Sequence, residues 1–122
     1  MIGYVTLGTN DMKRATAFYD AIAREMGIGR MMETEKFIAW GVRGGGAGIG
    51  ITKPFNGQPA TVGNGVMVAL AAKDRAHVDQ IYKVAMSLGA ADEGAPGPRG
   101  GGFYAGYFRD PDGNKLNAFV IG

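Results

Sequence analysis

The spacing of apolar side chains divides the chain into elements that occur in the same order twice. Residues 2–7 (Ile-Gly-Tyr-Val-Thr-Leu) are rich in β-forming side chains and stop at Gly8, which predicts a strand. Thr9, Asn10 and Asp11 supply side-chain oxygens suited to capping free amides, so a helix is expected to start there. Met12, Ala15, Phe18, Ile22 and Met26 then recur at spacings of three and four, one apolar helix face that Gly27 ends. Three short β-like stretches follow, at 30–34, 37–42 and 48–52, and a Pro-, Asn- and Gly-rich connector covers 54–64. The order then repeats. Residues 66–71 read as a strand, and Asp74 opens a helix whose apolar face is Val78, Ile81, Ala85 and Leu88, ended by Gly89. A weak strand signal lies at 91–95 and stronger ones at 104–109 and 115–121. Asp110-Pro111-Asp112-Gly113 joins the last two, with Asp, Pro and Gly at the positions a type I turn favours.

The halves align at an offset of 63, placing Tyr4 with Met67, Asp11 with Asp74 and Tyr19 with Tyr82. Each half reads as strand, helix and three strands. Neither is large enough to cover a four-stranded sheet by itself, so the two are expected to share a core. The expected organisation is one domain over 1–122: a first module to about residue 53, the connector, and a second module from about 65.

Composition changes this picture at one point. Glycine supplies 22 of the 122 residues, about two and a half times its usual share. The excess concentrates in 41–50 and 94–106, one cluster per half, and is read as hairpin loops and side-chain-free strand positions. The formal net charge is +2, and no basic run exceeds Lys13-Arg14, which argues against nucleic acid or a membrane surface as partner. There is no cysteine, hence no disulfide framework or thiolate chemistry. The beginning of the chain reads as a strand, not a leader, and no apolar run approaches membrane-spanning length, so a cytoplasmic location is expected.

Val5-Thr6-Leu7-Gly8, Asn10-Asp11-Met12, Ala17-Phe18-Tyr19-Asp20, Gly65-Val66-Met67-Val68-Ala69 and Tyr107-Phe108-Arg109-Asp110-Pro111-Asp112-Gly113-Asn114-Lys115-Leu116 carry a resemblance along the whole chain. With the duplicated βαβββ order, they make the sequence similar to the vicinal oxygen chelate superfamily: glyoxalase I, bleomycin-resistance proteins and extradiol dioxygenases. The small glyoxalase-like proteins are the nearest kind. The resemblance implies an α+β fold of paired βαβββ modules, a mixed sheet curled into a cup with helices outside, usually completed by homodimerisation. It also implies a small molecule in the cup. Members with chemistry hold a divalent metal through His and Glu on the first and last strands of each module. Here those positions are occupied by Tyr4, Met67 and Asn117, and the remaining one falls in the donor-free stretch Gly48-Ile49-Gly50-Ile51.

The residues argue the same without the family. A catalytic divalent site needs about three ligands drawn from neutral His, carboxylate or thiolate, and the chain has one His and no Cys. His77 lies at the edge of the second helix's apolar stripe and reads as a surface histidine. No metal, cofactor or catalytic residue is therefore nominated. Tyr4, Thr6, Met67 and Asn117 should face one way by strand alternation. They form either a cup floor with two hydroxyls and an amide for a ligand, or a filled core in which Met67 plugs the hole. Trp40, Tyr104 and Phe108 are the aromatic residues carried into the expected wall. Alternation separates Tyr104 and Phe108 from Phe103 and Tyr107, but does not say which pair faces inward. Arg109 precedes the turn and is expected to pair with Asp110 or Asp112, the alternative being an anionic ligand; the glycine runs lack a dinucleotide fingerprint. The functional expectation is a metal-free protein binding a small, partly apolar molecule; the alternative is a metal-dependent glyoxalase-like lyase or a dioxygenase with unusual ligands.

Overall fold

The computed structural model describes residues 1–122. The first module runs β1 (Tyr4–Gly8), α1 (Met12–Glu25), β2 (Arg30–Glu33), β3 (Phe37–Trp40) and β4 (Gly48–Thr52). The second runs β5 (Val68–Ala71), α2 (Arg75–Ser87), β6 (Ala91–Pro98), β7 (Phe103–Arg109) and β8 (Lys115–Ile121). Both helices start where an aspartate can cap them. Asp11 accepts from the Arg14 amide at 3.0 Å, and Asp74 accepts from the His77 amide at 2.8 Å. No helix is long and apolar enough to cross a membrane.

The strands form two four-stranded sheets, ordered β1-β4-β3-β2 and β5-β8-β7-β6, with no hydrogen-bonded strand pair between them. In each, the first strand of the module lies parallel to the last and the other pairs are antiparallel. The Asp110–Gly113 turn closes as expected: the Gly113 amide donates to the Asp110 carbonyl at 2.8 Å, and Gly113 has φ of 94°, a conformation open to glycine. The weak signal at 91–95 is a full strand to Pro98, irregular in register around Gly94 and Gly97. Its prolines and glycines hide it from a pattern search.

The two modules share one core, as their sizes require. Phe18, Tyr19 and Ile22 of α1 and Val78, Ile81 and Ala85 of α2 meet Ile38, Trp40, Ile51, Phe108 and Leu116 in a continuous buried cluster. Polar ties cross the same boundary. The Tyr19 hydroxyl donates to Asp110 Oδ2 at 2.7 Å, Asn114 Nδ2 donates to the Gly8 carbonyl at 3.0 Å, and the Thr9 hydroxyl donates to Asp112 Oδ2 at 2.6 Å. His77 belongs to this scaffold. Its Nδ1 lies 3.0 Å from the Lys73 amide nitrogen and accepts from it, which leaves Nε2–H to donate to the Glu25 carbonyl at 3.1 Å. With both ring nitrogens engaged, it joins the end of α1 to the start of α2.

Candidate functional site

Strand alternation gives each sheet a face packed on the helices and an open face turned away from them. Leu7, Ile38, Trp40 and Ile51 lie in the core on the helix side of the first sheet. Its open face therefore carries Tyr4 and Thr6 on β1, Gly48 and Gly50 on β4, and Phe37 and Ala39 on β3. In the second sheet Leu116, Ala118 and Phe108 are buried against α2 and α1. The open face there carries the cross-strand row Ala69, Asn117 and Tyr107, followed by Ala71, Phe119 and Ala105.

Several expected site residues are thus placed on the helix side. Trp40 is fully buried, packs beside Tyr19 with ring centroids 5.7 Å apart, and donates its indole N–H to Asp20 at 2.8 Å. Phe108 lies against Phe18 and Tyr82, with centroids 6.5 and 6.4 Å away. Tyr104 shares its side with Phe108 and donates its hydroxyl to Asp79 on α2 at 2.7 Å. Phe103 and Tyr107 hold the open face instead. The cause is register: Phe108 pairs with Leu116 and Tyr107 with Asn117, so whichever face buries Leu116 also buries Phe108. Arg109 pairs with Glu93 at 3.0 Å, and not with Asp110 or Asp112, because the latter two already accept bonds from Tyr19, Asn114, Thr9 and Asn10.

Tyr4 and Thr6 are exposed on the first sheet, whereas Met67 precedes β5 on the second, half-exposed and one alternation step from Ala69. Each sheet contributes its own half of the expected floor; within one chain the two halves stand on separate sheets. On the first, the fourth-strand position is closed by an aromatic ring. A Cβ built on Gly50 would lie 2.6 Å from Phe37 Cε1, so the ring occupies the space any longer side chain would need. Tyr4 meets the same ring edge-on, centroids 6.2 Å apart. On the second, Asn117 is 1% exposed and neither its Oδ1 nor its Nδ2 has a hydrogen-bond partner in the protein. A buried amide in that condition costs about 1–3 kcal/mol for each unmet group, which marks it as a place where polar partners are wanted.

These residues do not fit a resident divalent metal. No group of three His, Cys, Asp or Glu side chains converges anywhere in the chain. Glu93, at the margin of the second open face, is already committed to Arg109 and approached by Lys115 at 3.9 Å. A phenol, a thioether and an amide lack the carboxylate or imidazole that such an ion requires. What the open faces can do is pack an apolar body and orient it through hydroxyl and amide groups.

The chain matches the profile of the glyoxalase/bleomycin resistance protein/dioxygenase superfamily over residues 1–118. Among solved structures it is similar to a glyoxalase/bleomycin resistance protein from Albidiferax ferrireducens T118. That protein is 36% identical, with a TM-score of 0.90 over 98% of this chain and 97% of the other. A lactoylglutathione lyase from Agrobacterium tumefaciens shares the fold at 22% identity, with a TM-score of 0.71 over 98% and 92% of the two chains. A family enzyme from Burkholderia phytofirmans PsJN does so at 18%, with a TM-score of 0.78 over 98% of each. Comparison with curated proteins gives no match. The profile match over nearly the whole length, the duplicated βαβββ modules and the 36% identical structure together establish that the chain belongs to the glyoxalase/bleomycin resistance protein/dioxygenase superfamily.

Proposed function

We propose that the protein binds a small, partly apolar molecule on these open faces without a metal. The observation that carries this reading is the Asn117 amide, buried beside Ala69 and Tyr107 and the one buried side chain whose polar atoms have no partner in the protein. Buried amides are as a rule paired with protein, water or ligand. A ligand that exchanges hydrogen bonds with it recovers that loss on binding.

The reading includes a homodimer. β1 and β5 are edge strands, flanked by the exposed apolar side chains Ile2, Tyr4, Val66 and Met67. A largely apolar cavity of about 500 Å³ runs along the same seam, bounded by Val5, Ile49, Met67 and Leu70. Unpaired edges of this kind attract another strand. A second copy that sets its β5 beside β1 would cover the seam and bring the open face carrying Tyr4 and Phe37 opposite one carrying Asn117 and Tyr107.

The test is thermal unfolding of chelator-treated protein in the presence of small aromatic compounds. A ligand at about a hundred times its Kd stabilises by about 2.7 kcal/mol, which for a chain of this size raises Tm by roughly 10 °C. Stabilisation with the chelator present is the expected result. Stabilisation that appears only when a divalent ion is restored would instead favour a metal-dependent lyase or dioxygenase.

A further inference from the structure

The second open face bears an excess of positive charge that the fold leaves unused. Lys115 Nζ lies 5.6 Å from the centroid of the Tyr107 ring, and the Arg99 guanidinium carbon lies 5.4 Å from the same centroid. Arg109 stands in the neighbouring row, paired across the strands with Lys115. Among these three cations stands one carboxylate, Glu93, which Arg109 holds at 3.0 Å and Lys115 reaches only at 3.9 Å. Arg99 takes part in none of the ion pairs of the chain; its Nη2 donates to the Ala95 carbonyl at 2.7 Å. Each of the two cations gains from the Tyr107 ring, and with one carboxylate among the three cations the patch keeps a net positive charge that favours an anion.

The backbone makes room for this arrangement. Arg99 follows β6 and folds back over it, and a Cβ on Gly94 would meet its Nη2 at 3.3 Å. Gly94 has φ of 145°, so a side chain there would be both strained and in the way. Next to the cations stands the unpartnered Asn117 amide, across from Tyr107. Two residues further along β8, Phe119 stacks on Phe103 with ring centroids 5.5 Å apart and planes 15° from parallel. Read along β8, the face passes from cation to amide to aromatic surface.

We infer that this face takes an organic anion, with its oxyanion head at the Arg99 guanidinium, a polar group at Asn117 and an apolar body over Phe103 and Phe119. A carboxylate, sulfonate or phosphonate would serve as the head, since all offer oxygens to a guanidinium fork. This deepens the proposed function and rests on it: it names the chemical class of the molecule bound.

The test compares naphthalene-2-sulfonate with the neutral naphthalene-2-sulfonamide by calorimetric titration of the full chain in chelator. The sulfonate should bind about tenfold tighter, as expected for charge-assisted hydrogen bonds. Arg99→Gln should remove about that tenfold for the sulfonate and leave the sulfonamide unchanged. Lys83→Gln, an equal loss of charge at an exposed position on α2, should alter neither. Equal affinity for the two compounds, or an Arg99→Gln effect no larger than that of Lys83→Gln, overturns the anion assignment while leaving small-molecule binding in place. Binding of neither compound overturns both.

Discussion

Phe108→Ala is expected to destabilise the protein by about 3–5 kcal/mol, the range for truncating a fully buried aromatic residue. Total stability for a chain of 122 residues is of order 6–18 kcal/mol, so one side chain carries a large share of it. The size of the effect follows from position. Phe108 has no exposed surface and contacts Phe18 from the first module as well as Tyr82 from the second. Removing it opens a cavity at the junction of both modules, where neither can relax without disturbing the other. Chemical denaturation reads this as a lower midpoint with an unchanged slope. The same experiment separates the two orientations that alternation permits for β7. Were Phe108 on the open face, its truncation would weaken ligand binding and cost little stability.

Asp110→Ala is expected to cost a similar amount, about 3–5 kcal/mol, by a different mechanism. The Asp110 carboxylate is 3% exposed and accepts four bonds: from the Tyr19 hydroxyl, the Asp112 and Asn114 amides, and Asn114 Nδ2. Its loss strands these donors, several of them away from water, and releases the turn that sets the register of β7 on β8. Tyr19→Phe removes one of the four bonds and should cost less, about 1.5–3 kcal/mol. It should also change the alkaline limb of the stability curve. Burial, and then the negative charge of Asp110, raise the Tyr19 hydroxyl well above its ordinary value near 10. The unfolded chain therefore loses this proton first. The stability held by neutral Tyr19 is complete below about pH 10 and falls as pH climbs from there through the folded-state value. Unfolding midpoints measured from pH 9 to 11 should decline less steeply in Tyr19→Phe than in the parent protein.

The elements whose local chemistry is unambiguous were legible in the sequence. Asp11 and Asp74 cap their helices, Gly27 and Gly89 follow the helix ends with positive φ, and Asp110-Pro111-Asp112-Gly113 forms its turn. Orientation was harder where both faces of a strand looked alike. In β7 the pairs Tyr104/Phe108 and Phe103/Tyr107 are equally aromatic, so period-two alternation has nothing to discriminate. The deciding signal lay across the turn, in β8, where Leu116, Ala118 and Val120 are apolar and Asn117 is not. Pairing back from the Asp110 turn sets Tyr107 opposite Asn117 and Phe108 opposite Leu116. Trp40 misled for a related reason: the four-residue strand β3 has an aromatic residue at each end, Phe37 and Trp40, and alternation puts them on opposite faces without saying which faces the helices.

The placement of Arg99 and Lys115 beside Tyr107 was invisible in the sequence for want of a pattern. Arg99 lies in a Pro- and Gly-rich stretch and reaches Tyr107 only because β6 folds it back across Gly94, a non-local consequence of pairing. The role of Gly50 was half legible. The sequence places glycine where a ligand-bearing residue would stand, but only the packing puts Phe37 into the space above it. The glycine excess accordingly serves several purposes: turns, passage for a long side chain over a strand, and room for an aromatic ring on a sheet face.

The central claim is that the superfamily scaffold here works through packing and hydrogen bonding, with a phenol, a thioether and an amide where metal ligands would stand. Elemental analysis of the untagged protein, purified without chelator, addresses it most directly. The expected result is nickel, zinc, iron, manganese and cobalt each far below one equivalent per protomer. One equivalent of any of them, retained through dialysis, would contradict it.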